Sequence, residues 1–146
     1  MEIIIVVFVI LSLIGSISFL KPSKKMKALS AIRHIASKEG FKIGSTQILR
    51  KKFKSWTPQV AIYQIKNDSS FKDMHFVREG NALILYAPMS LKYDKQFLVI
   101  QEKILLLPNS VLEIIFFQSN IAIVWNEMQG HEELLQIKTA ILNICN

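Results

Sequence analysis

VLEIIFFQSNIAIVWNE, residues 111–127, consists of two apolar runs separated by a short polar stretch. Both runs are rich in the β-branched and aromatic residues that favour strands. We therefore predict a β-hairpin that turns near Ser119–Asn120. Its apolar residues alternate only incompletely, as expected for strands that are covered on both faces at the centre of a sheet.

The segments around this hairpin predict further strands. MHFVREGNALILYA, residues 74–87, is typical of a second hairpin that turns at Gly80–Asn81. VAIYQIK at 60–66 and FKIGSTQI at 41–48 carry short alternating or β-branched runs. Between them, RKKFKSW at 50–56 is predicted to form a basic loop or the edge of a strand.

The last segment, HEELLQIKTAILNIC at residues 131–145, predicts a helix with two acidic residues in its first turn, where the helix dipole favours them. Lys138 falls within the apolar arc of this helix, so it must extend toward solvent or mark a contact. The residues predicted to form the buried face are Leu134, Leu135, Ile137, Ile141 and Leu142.

KQFLVIQEKILLL, residues 95–107, leaves two alternatives open. Asp94 could cap a helix there, but the apolar residues lie almost all round it, so two short strands also fit. The order of elements predicts an α+β fold. It would comprise one N-terminal transmembrane helix and a small domain with a mainly antiparallel sheet and about three helices.

The chain begins with an apolar run from Ile3 to Leu20, in which fourteen of eighteen residues are Ile, Val, Leu or Phe. At 1.5 Å per residue a helix of this length spans about 27 Å, close to the thickness of a bilayer core. The alternatives are a buried helix of a soluble protein and a cleaved signal peptide. A signal peptide has its basic region before the apolar core, whereas here Glu2 precedes the core and the lysines follow it.

The charges at the two ends of this run predict its orientation. Cytoplasmic flanks of membrane spans carry the excess of Lys and Arg. We therefore expect a single-pass protein with its N-terminus outside and its C-terminal domain in the cytoplasm. Pro22 is predicted to end the span, and Ser23 to cap a new helix. The flanking basic residues are Lys21, Lys24, Lys25 and Lys27.

This new helix is predicted from Ser23 to Glu39, and Gly40 is a natural stop. Its apolar stripe could lie on the membrane surface among lipid headgroups or pack on the sheet of the domain. The stripe is narrow and lacks Trp and Phe, which favours packing. It comprises Met26, Ala28, Leu29, Ile32, Ile35 and Ala36.

The charge is concentrated near the anchor. Residues 21–54 carry eleven basic residues and one acidic residue, a net charge of +10, whereas residues 55–146 carry a net charge of −2. We predict an anchor at 1–21, a basic amphipathic helix at 22–40 and a domain at 41–146. The candidate lipid or polyanion contacts are Lys21, Lys24, Lys25, Lys27, Arg50, Lys51, Lys52 and Lys54.

No residue pattern indicates catalysis, a cofactor or a metal. The chain has no phosphate-binding Gly-rich loop and no HExxH or GxSxG motif. His34, His75 and His131 are isolated in sequence, and we interpret them as structural. Cys145 is the only cysteine, which excludes an internal disulfide. We expect it to be buried and inert.

The junction LKPSKKMKAL, residues 20–29, resembles that of the YajC-type accessory subunit of the Sec translocase, in which a single span precedes a basic segment with proline. This resemblance covers residues 3–29. The Gly-rich strand motif that follows in that family does not occur in EGFKIGSTQI, residues 39–48.

Most of the chain resembles a group of uncharacterised bacterial single-pass proteins, sometimes labelled YajC-like. The matching elements are Pro22–Ser23, Gly40–Phe41, Val124–Trp125 and the terminal helix at 131–145. The resemblance implies a protein of the bacterial inner membrane and supplies no catalytic residues.

We therefore predict a non-enzymatic, membrane-tethered interaction or accessory protein of the bacterial inner (cytoplasmic) membrane. Its expected partners are the lipid bilayer and another membrane or membrane-associated protein. The alternative is a membrane-anchored polyanion or nucleic-acid binder that uses residues 50–54. Because the excess positive charge lies next to the anchor and not on the domain, it disfavours nucleic acid. An enzyme with an unrecognised site is the third hypothesis.

Overall fold

The computed structural model describes residues 1–44, 47–58, 60–127 and 130–146. Its first element is the apolar helix α1, Glu2–Phe19, in which no residue is buried. Its mean hydropathy of 2.6 and its length of 18 residues are sufficient to cross a membrane, and a signal sequence has the same properties. Since no residue of α1 is buried, it is not a core helix of this domain.

The junction after α1 follows the sequence prediction closely. Helix α2, Lys24–Lys38, begins after Ser23, whose hydroxyl accepts a hydrogen bond from the Met26 amide at 3.2 Å. Gly40 follows the helix with a φ of +89°, a conformation that costs glycine little. Only four residues therefore separate the apolar helix from α2.

The domain contains one antiparallel sheet of six strands in the order β1-β2-β6-β5-β3-β4. Both predicted hairpins are present, and the hairpin of β5 and β6 occupies the centre of the sheet. Nearly every residue of these two strands is buried, which explains the incomplete alternation of their sequence. The strands are β1, Lys42–Ile43; β2, Ala61–Lys66; β3, Met74–Glu79; β4, Ala82–Ala87; β5, Val111–Phe116; and β6, Asn120–Trp125.

Three helices cover one face of the sheet: α2, then α4 at Lys95–Ile104, and α5 at His131–Cys145. The core between the layers includes Trp125, which has no solvent exposure and forms an edge-to-face pair with Tyr63 at 5.3 Å between ring centroids. Strand residues that point away from these helices form a second apolar cluster, described below. The sheet is therefore covered on both sides at its centre.

Helix α2 packs on the domain through its C-terminal half. Ile32 and Ala36 are buried in the main core and Ile35 packs against it, whereas Met26 at the other end is exposed. The apolar stripe was predicted to pack on the domain, and the second half of the helix confirms this. The first half extends toward the apolar helix α1 with its lysines exposed.

Residues 95–107 form a helix and its C-terminal turn, so the alternative of two short strands is wrong. The side chain of Asp94 caps α4 by accepting a hydrogen bond from the Gln96 amide at 3.0 Å. Ile100 and Ile104, one helical turn apart, are the buried residues of the helix. Leu107, in the turn after the helix, is also buried and Phe97 packs against the core. Other apolar side chains are exposed, which is why the sequence appeared apolar all round; they are Leu98, Val99, Leu105 and Leu106.

Helix α5 has the predicted bounds, and Leu134, Ile137 and Ile141 are buried as expected. The predictions for Leu135 and Leu142 are wrong, since both side chains are exposed. The buried arc instead includes Ala140 and Ile144, because the sheet lies toward that side of the helix.

Lys138 of α5 marks a contact, one of its two predicted alternatives. Its ammonium group forms an ion pair at 2.5 Å with Glu39, the C-terminal cap of α2. Cys145 is only partly buried, and burial raises the pKa of its thiol. A thiol with a raised pKa forms less of the reactive thiolate, which agrees with the expected inertness but not with full burial.

Residues 41–48, predicted as a strand, are divided between two elements. Lys42–Ile43 form β1, Ser45 and Thr46 lie outside the described residues, and Gln47–Arg50 form the single turn α3. The described residues thus form five α-helices, which are α1 and four in the domain, where about three were predicted. A four-residue helix is too short to show a 3.6-residue periodicity in sequence.

Candidate functional site

The basic segment at residues 47–58 lies across the sheet face opposite to α2, α4 and α5. Phe53 anchors it, with its side chain buried in the second apolar cluster. This attachment turns the predicted basic loop into a fixed layer of the domain. The sheet residues of that cluster are Ile62, Ile115, Ala122 and Val124.

Glu113 of β5 holds the same segment in place. Its side chain has no solvent exposure, and its carboxylate accepts hydrogen bonds from the backbone amides of Lys54, at 3.0 Å to each oxygen, and Ser55, at 2.7 Å. The ring of His75 contacts the same carboxylate through Nε2. Burial acts to raise the pKa of Glu113, but these hydrogen bonds outweigh it and the pKa lies below its ordinary value.

These contacts explain His75, which the sequence predicted to be structural. The His75 ring also packs edge to face with Tyr86, and the two ring centroids are 5.0 Å apart. The contacts of Glu113 with Lys54 and Ser55 connect the sheet to the basic segment, whereas His75, on the neighbouring strand β3, contacts the same carboxylate from within the sheet. His34 is exposed on α2 and His131 begins α5, as expected.

Three cations of the segment lie over aromatic rings. The Lys54 ammonium is 3.8 Å from the Tyr86 centroid, and the Arg50 guanidinium is 4.7 Å from the Trp56 centroid. The Lys52 ammonium lies 4.9 Å from the ring of Phe117 in the same way. Such contacts contribute about 0.5–1 kcal/mol each at exposed sites, so these side chains are directed while their charges remain accessible.

Arg33, in the middle of α2, forms the second polar cluster. It donates two parallel hydrogen bonds of 2.8 Å to the carboxylate of Glu127, to which the Tyr63 hydroxyl donates a third at 2.6 Å. Burial acts to raise the pKa of Glu127, but Arg33 and Tyr63 outweigh this effect and lower it. The hydrogen bond with Glu127 in turn raises the pKa of Arg33.

Two adjoining depressions lie between α2 and the basic segment. The first has a volume of about 420 Å³, the second has a volume of about 240 Å³, and both include Arg33, Pro58 and Val60. We call these two depressions together the basic groove. Its first part also includes Lys25, Leu29, Asn126 and Glu127, and its second part Ile43, Gly44, Arg50, Trp56, Ala61 and Ile62.

The basic groove brings together one residue from each predicted set of cations, Lys25 from the junction and Arg50 from the basic segment. The other predicted cations are also exposed but do not line the described part of the groove. They are Lys21, Lys24, Lys27, Lys51, Lys52 and Lys54.

Sequence reasoning missed Arg33 and both buried acids. Arg33 follows the buried Ile32 and resembled any other basic residue of an amphipathic helix. Glu113 gave a usable signal, because a charged residue inside an otherwise apolar strand requires a partner. Glu127 gave no comparable signal.

The cations of the basic groove are arranged in a way that suits the binding of an anion. Within residues 1–44, 47–58, 60–127 and 130–146, no group of three or more His, Cys, Asp or Glu side chains could hold a metal ion. Lys25, Arg33 and Arg50 oppose only Glu127 among the acids that line the groove, which leaves it positively charged.

Comparison with known proteins identifies no relative: no family model, curated protein or solved structure matches this chain. The resemblance to YajC-like bacterial proteins therefore stays a prediction.

Proposed function

We propose that this chain is a membrane-tethered, non-enzymatic accessory protein of the bacterial inner membrane, whose domain docks a membrane or membrane-associated protein on the cytoplasmic side. The exposed apolar surface of α4 and α5 carries this proposal. Soluble proteins rarely expose contiguous apolar patches, and such patches mark sites of interaction. The exposed side chains are Leu98, Val99, Leu105, Leu106, Leu135 and Leu142.

The two helices contribute to one surface. Leu106, just after α4, and Leu135 of α5 line a common groove of about 400 Å³. Its other lining residues are Glu132, Gln136, Thr139, Ala140 and Asn143. Leu135 and Leu142 are two turns apart and therefore share one side of α5. An apolar segment of a partner protein would bury these side chains, at about 25 cal/mol per Å² of apolar surface removed from water.

The connection to α1 supports tethering. Only four residues separate α1 from α2, and the salt bridge between Arg33 and Glu127 fixes α2 to the domain. A domain attached in this way stays close to the end of its anchor, which raises its effective concentration for a partner in the same membrane.

Site-specific photo-crosslinking in intact cells tests this proposal. A crosslinking residue at Leu135 of the full-length chain should give one discrete adduct with a membrane-associated protein. The matched control is the same residue at Ile84, an exposed apolar position on β4, outside the α4–α5 surface. Equal adducts at both positions, or none at Leu135, would contradict the docking role.

The second candidate function is polyanion binding by residues 50–54, as a membrane-anchored receptor for nucleic acid or another polyanion. The observation that favours it is the fixed and exposed set of cations around Arg50 and Lys52. Salt-dependent retention of the detergent-solubilised full-length chain on heparin, lost in Lys51→Gln/Lys52→Gln, would support it.

A further inference from the structure

The proposed docking function assigns no role to the lysines at the start of α2 or to the basic segment on the sheet. The basic groove is lined by residues of both. Lys25 is the second residue of α2, six positions after the last residue of α1. Arg33 is eight positions farther along, or about 12 Å at 1.5 Å per residue. The cations of the groove therefore begin at the end of the anchor and continue toward the domain.

Arg33 is held in a defined position for this role. Its side chain is 49% exposed although its guanidinium donates two hydrogen bonds to Glu127. A guanidinium has five N–H donors, so donors remain for a second acceptor. Glu127 thus holds the planar guanidinium of Arg33 in a fixed orientation, because two parallel hydrogen bonds constrain its geometry.

Apolar and aromatic groups accompany the charges. Trp56 lines the groove under the guanidinium of Arg50. Ile48, on the adjacent turn α3, is 74% exposed. An exposed aliphatic side chain next to Arg and Lys is typical of surfaces that enter the headgroup region of a bilayer.

We propose that the basic groove binds the phosphate group of an anionic phospholipid from the bilayer that holds α1. Arg33, which lines both parts of the groove, contacts the phosphate oxygens, Lys25 and Arg50 attract the phosphate from the two sides, and Trp56 packs against the headgroup. This inference rests on the proposed tethering, because it is the anchor that brings the groove to the lipid.

The distribution of charge favours a lipid over a nucleic acid. The excess of positive charge is confined to residues 21–54, whereas residues 55–146 carry a net charge of −2. A nucleic acid requires a basic surface that follows several phosphates. The groove is short and begins beside the anchor, which suits a single phosphate held at the membrane surface.

The test uses the full-length protein in a neutral detergent and a soluble short-chain lipid, dihexanoyl phosphatidylglycerol. Binding is followed by the fluorescence of Trp56, because the only other tryptophan, Trp125, is fully buried. Three further titrations use dihexanoyl phosphatidylcholine, inorganic phosphate and a single-stranded DNA 12-mer. We expect phosphatidylglycerol to bind most tightly.

The decisive variant is Lys25→Gln/Arg50→Gln, which removes two cations from the groove and leaves the support of Arg33 intact. At about 1 kcal/mol for each basic residue near an anionic lipid, its affinity for phosphatidylglycerol should fall about 25-fold. The matched control, Lys72→Gln/Lys95→Gln, removes the same charge from exposed positions outside the groove and should bind as the parent does.

Several results would overturn the inference. They are equal binding by the parent and the groove variant, equal loss in the control variant, or tighter binding of phosphate or of the 12-mer than of phosphatidylglycerol. If circular dichroism shows that the double variant is unfolded, Lys25→Gln alone decides, with an expected loss of about fivefold. These titrations in detergent do not depend on the site of insertion in cells, so their failure is distinguishable from a failure of the proposed tethering or docking.

Discussion

The carboxylate of Glu113, in the central strand β5, accepts a hydrogen bond of 2.7 Å from the backbone amide of Ser55. The two residues are 58 positions apart in sequence. This contact, together with the two to the Lys54 amide, attaches the basic segment to the sheet. One buried acid and the buried side chain of Phe53 therefore hold the basic segment in position together.

Glu113→Gln should destabilise the protein. The amide side chain keeps one acceptor oxygen and places an N–H₂ group against backbone donors, so at least one buried donor loses its partner. We expect a loss of about 2 kcal/mol in the free energy of unfolding, measured by urea denaturation of the full-length chain in mild detergent. Glu79→Gln, at an exposed end of β3, is the control and should change stability by less than about 0.5 kcal/mol.

Acid should weaken the hydrogen bonds that Glu113 forms with the basic segment and that Glu127 forms with Arg33. Glu113 and Glu127 both have folded-state pKa values below the ordinary 4.5. Groups with a lowered pKa contribute stability above their unfolded-state pKa, and that contribution is lost as the pH falls through the folded-state pKa. The urea midpoint should therefore decrease between pH 6 and pH values below about 4.5. Glu113→Gln should show a smaller decrease than Glu79→Gln, and identical pH profiles would contradict this role.

Arg33→Ala should loosen α2. In the described residues, the buried carboxylate of Glu127 has two side-chain partners, Arg33 and Tyr63. The substitution removes Arg33 and leaves only the Tyr63 hydroxyl. Because Arg33 is half exposed, we expect a loss of about 1–2 kcal/mol, less than for a fully buried ion pair. Hydrogen exchange should accelerate in Lys24–Lys38 before it does in the central strands. His34→Ala, the exposed neighbour, should leave exchange in the helix unchanged.

The apolar helix α1 should be retained as an anchor. Mass spectrometry of the protein from membranes should give an N-terminus at or next to Met1, and alkaline carbonate should not release the chain. The physical reason is the order of charges, because the lysines follow the apolar core instead of preceding it. A mature N-terminus near residue 19 would identify α1 as a cleaved signal peptide.

We expect the lysines that flank α1 to set its orientation in the membrane. A reporter that is active only outside the cytoplasm, fused after Asn146, should be silent, because basic residues are retained on the cytoplasmic side. Replacing the flanking lysines by neutral residues and adding basic residues before Ile3 should move a fraction of the fusion outward. The effect should be partial, because further basic residues up to Lys54 remain. An active reporter on the unmodified chain would reverse the proposed topology. The four lysines to be replaced are Lys21, Lys24, Lys25 and Lys27.

The local sequence was sufficient for most of the secondary structure. Both hairpins, the start of α2 at the Ser23 cap and the bounds of α5 were predictable, because turn residues, caps and periodicity act over a few neighbouring residues. The failures have two causes, one local and one tertiary. The turn α3 is too short to show a period, and the exposure of Leu135 depends on which side of α5 meets the sheet.

The candidate site was only partly predictable. Lys25 and Arg50 were expected as contacts from charge alone, but nothing in their spacing showed that they line one groove. Arg33, which connects the two parts, was not selected, because its partner Glu127 is 94 positions away.

By itself, the sequence determined the apolar helix, the concentration of positive charge beside it and the α+β order of the elements, since each of these depends on composition or on short-range pattern. Only the tertiary structure decided that Glu113 would hold the basic segment on the sheet and that Glu127 would fix Arg33 between two groups of cations. Both acids act on residues more than fifty positions away, and such pairings arise from the register and packing of distant elements.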